Sequence, residues 1–200
     1  MPLPGVLLSS VEMAVYLRSA IFLAQYGEPI TILDQRMEDR PLEQEAARLL
    51  LSLKVTIAVA ESCTGGLICH RLTNISGSSD YLERGVVVYS NRSKMELLGV
   101  SADVIREHGA VSQACVRAMA TGVRRLAGTE LGLAVSGIAG PTGGTPDKPV
   151  GLVYMALAWS EDVQSWKYFF EGSREEIKQK ASDQALMRII DHCRSVKRDL

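Results

Sequence analysis

The feature that most restricts this chain is an ordered succession, starting at Leu42, of short β-rich runs and longer stretches with helical spacing. Leu42, Ala46, Leu49, Leu50 and Leu53 fall on one side of a helix. Lys54-Val55-Thr56-Ile57-Ala58-Val59-Ala60 reads as a buried strand. A helix is expected from about Gly65 to Leu72, a strand over Gly85–Tyr89 and a short helix over Asn91–Leu98. Ser112 has the character of an N-cap for a helix reaching about Leu126. Leu131–Ser136 is a third strand. Leu152–Trp159 and Val163–Phe170 are two more, flanking a hairpin-like turn at Ser160-Glu161-Asp162. Ser173-Arg174-Glu175-Glu176 fits a capping box that opens a long last helix. Strands alternating with helices bury both faces of a sheet. The expected fold of residues 42–200 is therefore a three-layer α/β/α sandwich around a mixed, mostly parallel sheet.

Residues 1–41 read differently. Val11 to Leu23 suggests a helix, Pro29–Leu33 a short strand, and Met37–Pro41 a polar break. This segment is expected to be an N-terminal appendage, and its residues suggest no chemistry.

Composition removes several function classes. The chain has 22 basic and 23 acidic side chains, a formal net charge of -1, so a dedicated nucleic-acid surface is not expected. Cys63, Cys69, Cys115 and Cys193 stand with His70, His108 and His192 in no CxxC, HxxxH or HxH spacing. Neither a structural zinc nor a disulfide framework is expected, and the cysteines read as thiols of a reducing cytoplasm. The most apolar stretch, Val6–Gln25, is interrupted by Glu12 and Arg18 and follows no basic leader. Neither a spanning helix nor a secretory signal is expected, and a membrane is not an expected partner.

Three segments carry possible chemistry. Ala60-Glu61-Ser62-Cys63-Thr64-Gly65-Gly66 ends one strand and opens a helix, the place where open α/β sheets bind ligands. Ser62 would stand at the mouth of that crevice, with helix-terminal amides near Thr64 and Gly65 to hold negative charge. A tight turn with Ser62 or Thr64 as a simple cap fits the local pattern equally well. Glu61 would orient a ligand hydroxyl or hold the turn. The second segment, Tyr89-Ser90-Asn91-Arg92-Ser93-Lys94, ends another strand and so lies on the same sheet edge. A serine needs a base, and no histidine lies in these turns. A buried lysine can serve, because desolvation disfavours its charged form, and Lys94 is the candidate. Tyr89 could relay a proton. The third segment, Gly137 to Gly151, has Gly or Pro at eight of fifteen positions. Its amides form a potential anion nest with Lys148 as added charge, suited to a phosphate or ribose phosphate. Arg174 would clamp an anion or be an ordinary surface residue. Lys178, Lys180, Arg188 and Arg194 lie among acids and read as a solvated helix face.

Taken together, AESCTGG, SGSSDYLERGVVVYSNRSK, LLGV, EHGAVS and VSGIAGPTGGTPDKPVG closely resemble the CinA C-terminal domain family, over about Leu42 to the C-terminus. The resemblance implies hydrolysis of the carboxamide of nicotinamide mononucleotide to nicotinate mononucleotide and ammonia, without cofactor or metal, by a homo-oligomer. Carried over, the nucleophile falls on Ser62, the base on Lys94, the assisting tyrosine on Tyr89 and the arginine of the last helix on Arg174. Glu61, Thr64, Gly65, Gly66, Asn91, Gly137, Ala139, Gly140, Gly143, Gly144 and Lys148 are expected around the substrate. Many family members carry a large N-terminal domain resembling molybdopterin-binding proteins. The roughly forty residues before Leu42 are too few for it, so a pyrophosphatase role is not expected. The alternative reading is a non-catalytic nucleotide-binding module for regulation or assembly. A DNA-uptake role rests on the family's name alone.

Overall fold

The computed structural model describes residues 40–160 and 162–198. The appendage and its expected helix, strand and break lie outside the described residues, except for Arg40 and Pro41. From Leu42 onward the elements are α1 (Leu42–Leu53), β1 (Ile57–Glu61), α2 (Leu67–Thr73), β2 (Leu82–Val87), α3 (Asn91–Leu98), α4 (Ala102–His108), α5 (Gln113–Ala127), β3 (Leu131–Gly137), β4 (Leu152–Trp159), β5 (Asp162–Phe169) and α6 (Arg174–Arg198).

The five strands form one mixed sheet in the order β2-β1-β3-β4-β5. β1 pairs parallel with β2 and β3, and β4 pairs antiparallel with β3 and β5. Four strands thus point the same way and β4 runs against them. Trp159 faces Asp162 across the β4–β5 pair, as a tight hairpin requires, while Glu161 lies outside the described residues.

The strands sort their side chains by size. Ile57 and Val59 of β1, Leu131, Leu133 and Val135 of β3, and Val153, Met155 and Leu157 of β4 pack with α1, α2 and α6. The alternate positions Ala58, Ala60, Ala134, Ala156 and Ala158 pack with α5. The period of two along a strand separates the sets, and helices on both faces give the three-layer sandwich. Small residues on one face let α5 come close. A Cβ built on Gly132 would sit 2.3 Å from the Ala120 carbonyl oxygen, so glycine there is a packing requirement.

Several boundaries differ from the sequence expectation by one to three residues. β2 starts at Leu82 and stops at Val87, leaving Val88 and Tyr89 beyond the strand. The helix α4 was not expected. Its signals are Ser101, whose hydroxyl accepts from the Val104 amide, and Gly109 just past its end. The spacing is short and only Val104 and Ile105 are apolar and half-buried, which is why periodicity alone passes over it. Among the described residues no helix is long and apolar enough to cross a membrane.

The chain leaves β1 toward β2 on one side and later returns to β3 on the other. The carboxyl ends of β1 and β3 are therefore adjacent at the point where the strand order reverses, and a crevice opens there.

Candidate active site

Ser62 follows the last residue of β1, and its amide donates to the Val135 carbonyl of β3 at 3.0 Å. This ties the serine to the sheet. Its carbonyl accepts from the Gly65 amide at 3.1 Å, which closes the turn. Ser62 is nearly enclosed, at 8% exposure.

Glu61 holds the next part of the turn. Its side chain is wholly buried and accepts from the amides of Gly66 at 2.9 Å, Ile68 at 3.2 Å and Cys69 at 2.9 Å. Of the two roles open in the sequence, Glu61 takes the structural one. It occupies the amides at the start of α2, and Gly65 is engaged by Ser62. Thr64 is fully enclosed, and its hydroxyl has no hydrogen-bond partner among the described residues. Of the amides expected to hold negative charge, that of Gly65 is engaged by the Ser62 carbonyl, and Thr64 is enclosed.

Lys94 comes from the first turn of α3. Ser90 caps that helix by accepting from the Ser93 amide at 3.0 Å, and Ser93 returns a bond to the Ser90 amide. Side chains on a helix lean toward its N-terminus, so Lys94 reaches back beneath the strand ends. It is 1% exposed. Its Nζ lies 2.7 Å from the Val88 carbonyl, 3.3 Å from the Tyr89 carbonyl and 3.1 Å from Ser62 Oγ. Burial pushes its pKa below the ordinary lysine value, with weak opposing contributions from the Cys115 and Cys63 thiols. The two carbonyls can only accept, so they take N–H groups from Nζ. A neutral amine then has its lone pair left for the Ser62 hydroxyl proton. The serine and lysine expected as nucleophile and base thus stand in hydrogen-bond contact inside a desolvated pocket.

A cavity of about 240 Å³ opens over this pair. Its wall includes Gly137, Ala139, Gly140 and Gly143 from the glycine-rich segment. Its rim carries Tyr89 and Arg174. The Arg174 guanidinium donates to the Gly140 carbonyl at 2.8 Å and to the Tyr89 hydroxyl at 3.0 Å, bridging loop and strand end. Tyr89 is itself 62% exposed.

The structure thus brings Ser62, Lys94, Tyr89, Arg174, Gly137, Ala139, Gly140 and Gly143 to one cavity. It does not bring the others there. Asn91 and Gly144 are exposed and do not line the cavity. Gly65 and Gly66 shape the turn beside it. Lys148 does not line the cavity and donates from Nζ to the His108 carbonyl at 2.6 Å, at the end of a nearby helix. Sequence reasoning missed Cys63, Ala110, Val111, Ser136, Ile138 and Thr142 in the wall. Ser112 caps α5 and donates to the Gly109 carbonyl at 2.8 Å, while Ser136 donates to the Ala110 carbonyl at 2.8 Å. These two serines pin the Ala110–Val111 turn against β3. The signal available in sequence was the HGAVS run itself. Among the described residues no three His, Cys, Asp or Glu side chains cluster as a metal site would require.

Comparisons with known proteins place this geometry among related chains. Residues 39–193 match the family model for the CinA C-terminal domain. A CinA-like protein of Syntrophus aciditrophicus is 56% identical over 151 residues, covering 75% of this chain and 36% of the relative. A CinA-like protein of Syntrophotalea carbinolica is 52% identical over 145 residues, covering 72% and 35%. The chain spans about a third of the length of these curated relatives. The crystal structure of a competence-damaged protein (CinA) superfamily protein from Klebsiella pneumoniae superposes with a TM-score of 0.75 at 32% identity, covering 77% of this chain and 96% of that one. The competence/damage inducible protein CihA of Agrobacterium tumefaciens gives 0.71 at 37% identity, covering 75% and 94%.

Proposed function

The chain belongs to the CinA C-terminal domain family, and from that premise and the cleft we propose that it is an amidohydrolase that releases ammonia from the carboxamide of nicotinamide mononucleotide. The observation that carries this reading is the 3.1 Å contact between Lys94 Nζ and Ser62 Oγ in a buried pocket. In this reading neutral Lys94 takes the Ser62 hydroxyl proton. Ser62 Oγ then bonds to the carboxamide carbon, and the oxygen of that group takes up the negative charge. Ala139 and Gly140 line the cavity, and their amides have no acceptor among the described residues. They supply the donors for the developing oxyanion, where such groups count most. The carbon–nitrogen bond breaks as protonated Lys94, or Tyr89, gives its proton to the departing nitrogen, and ammonia leaves. Water then adds to the acyl-enzyme, Ser62 regains its proton and nicotinate mononucleotide departs.

The test is ammonia release by the purified full chain and by Ser62→Ala and Lys94→Ala. Ser62→Ala removes one oxygen from a tied turn and leaves the fold intact. Its turnover should fall by roughly a thousandfold or more. Near wild-type turnover in that variant would overturn the covalent route. Tight binding of the nucleotide by the wild-type chain without ammonia release would instead indicate a nucleotide-binding module.

A further inference from the structure

Lys148, expected beside the phosphate of such a substrate, does not line the Ser62 cavity and donates to the His108 carbonyl. The cavity over Ser62 has Lys94 and Arg174 as its cationic side chains. Lys94 is enclosed beside the nucleophile. Arg174 is anchored on Gly140 and Tyr89.

A second cation lies next to that site. Lys178 follows Arg174 by one helical turn on α6 and is half-buried. It forms no hydrogen bond or ion pair with any described residue, whereas Lys180 donates to the Glu171 carbonyl at 2.7 Å. Its Nζ lies 3.7 Å from where a Cβ on Gly65 would stand. Gly65 is exposed, has no side chain and adopts φ +65, so the turn is open toward the ammonium. Arg174, Lys178 and Leu67 line a groove of about 590 Å³, with Glu175 at its side. Arg174 lines both this groove and the Ser62 cavity. At the α6 start Ser173 and Glu176 satisfy each other's amides.

We propose that Lys178 is the phosphate-recognising residue of this site, holding the phosphate of a small nucleotide whose carboxamide lies at Ser62. The proposal rests on the amidohydrolase reading for the placement of the carboxamide. Gly65 stands three residues beyond Ser62 on one turn, so the reacting end and the charged end of a mononucleotide are both served from it. A compact ammonium on a flexible stem suits a phosphate as a point charge. Arg174, one turn earlier on the same helix, lines the same groove.

The experiment compares the full chain with Lys178→Ala and Lys178→Arg on nicotinamide mononucleotide and on nicotinamide riboside, the same amide without phosphate. Lys178→Ala should raise KM for the mononucleotide about ten- to a hundredfold, with kcat nearly unchanged and riboside kinetics untouched. Lys178→Arg should restore most of the affinity. Inorganic phosphate should compete with the mononucleotide in the wild-type chain and much less in Lys178→Ala. Unchanged mononucleotide kinetics in Lys178→Ala, or an equal loss for both substrates, would overturn the assignment. Calorimetry separates the two readings. If the wild-type chain binds mononucleotide without releasing ammonia, the amidohydrolase reading fails. Lys178 then keeps its role only if Lys178→Ala loses that binding.

Discussion

Replacing Glu61 by alanine should destabilise the protein far more than a change one residue from a binding cleft would ordinarily do. The carboxylate is wholly buried and accepts from three amides at 2.9–3.2 Å. Alanine leaves all three donors without an acceptor. A buried donor left unpaired costs about 1–3 kcal/mol. Ile68 is fully buried and should approach the upper end, while Gly66 and Cys69 are partly open, so water recovers part of their loss. The truncation also leaves space against Cys69. We expect a total of about 3–5 kcal/mol, a large share of the roughly 5–15 kcal/mol by which domains are stable. Urea unfolding followed by circular dichroism measures it as a fall in midpoint at unchanged slope. Glu61→Gln keeps one oxygen and the volume but turns an amide donor toward amide donors, so it should fall between wild type and alanine. A loss below about 1 kcal/mol for Glu61→Ala would refute the reasoning, because the α2 amides would then be satisfied without the carboxylate.

The other predictions concern the base and the packing. Lys94 is held below its ordinary pKa of 10.5 by burial, so the folded chain binds fewer protons there than the unfolded one. The penalty is fully present below the folded value and disappears as pH rises through the window up to 10.5. Stability should therefore climb across that window in the wild type and not in Lys94→Met, and ammonia release should rise with pH on the same limb. Wild-type stability that fell relative to Lys94→Met as pH rose through that window would contradict a lysine held below 10.5 in the fold. Gly132→Ala would place its Cβ 2.3 Å from the Ala120 oxygen and 2.6 Å from Arg124 Cβ, forcing α5 off the sheet. It should cost about 2 kcal/mol or more, a fall of roughly 4–8 °C in Tm by scanning calorimetry.

What the amino-acid sequence determined by itself is what neighbours along the chain decide together. The period of two in Ile57–Ala60, the helical spacing of Leu42–Leu53, the caps at Ser112 and Ser173 and the turn chemistry of Gly65-Gly66 are local, and they place Ser62 at a strand end before any packing is known. The short helix α4 was not legible, because its signal is two half-buried residues and a cap. Tertiary structure decided the rest, since a long polar side chain goes where an acceptor and the local dielectric favour it. Lys94 and Ser62 are 32 positions apart and meet only because β1 and α3 share one end of the sheet. The same logic turned Glu61 onto the α2 amides, sent Lys148 to the His108 carbonyl and left Lys178 over Gly65. Charge and reach are written in the residue, but the partner is chosen by which atoms folding brings within about 3 Å.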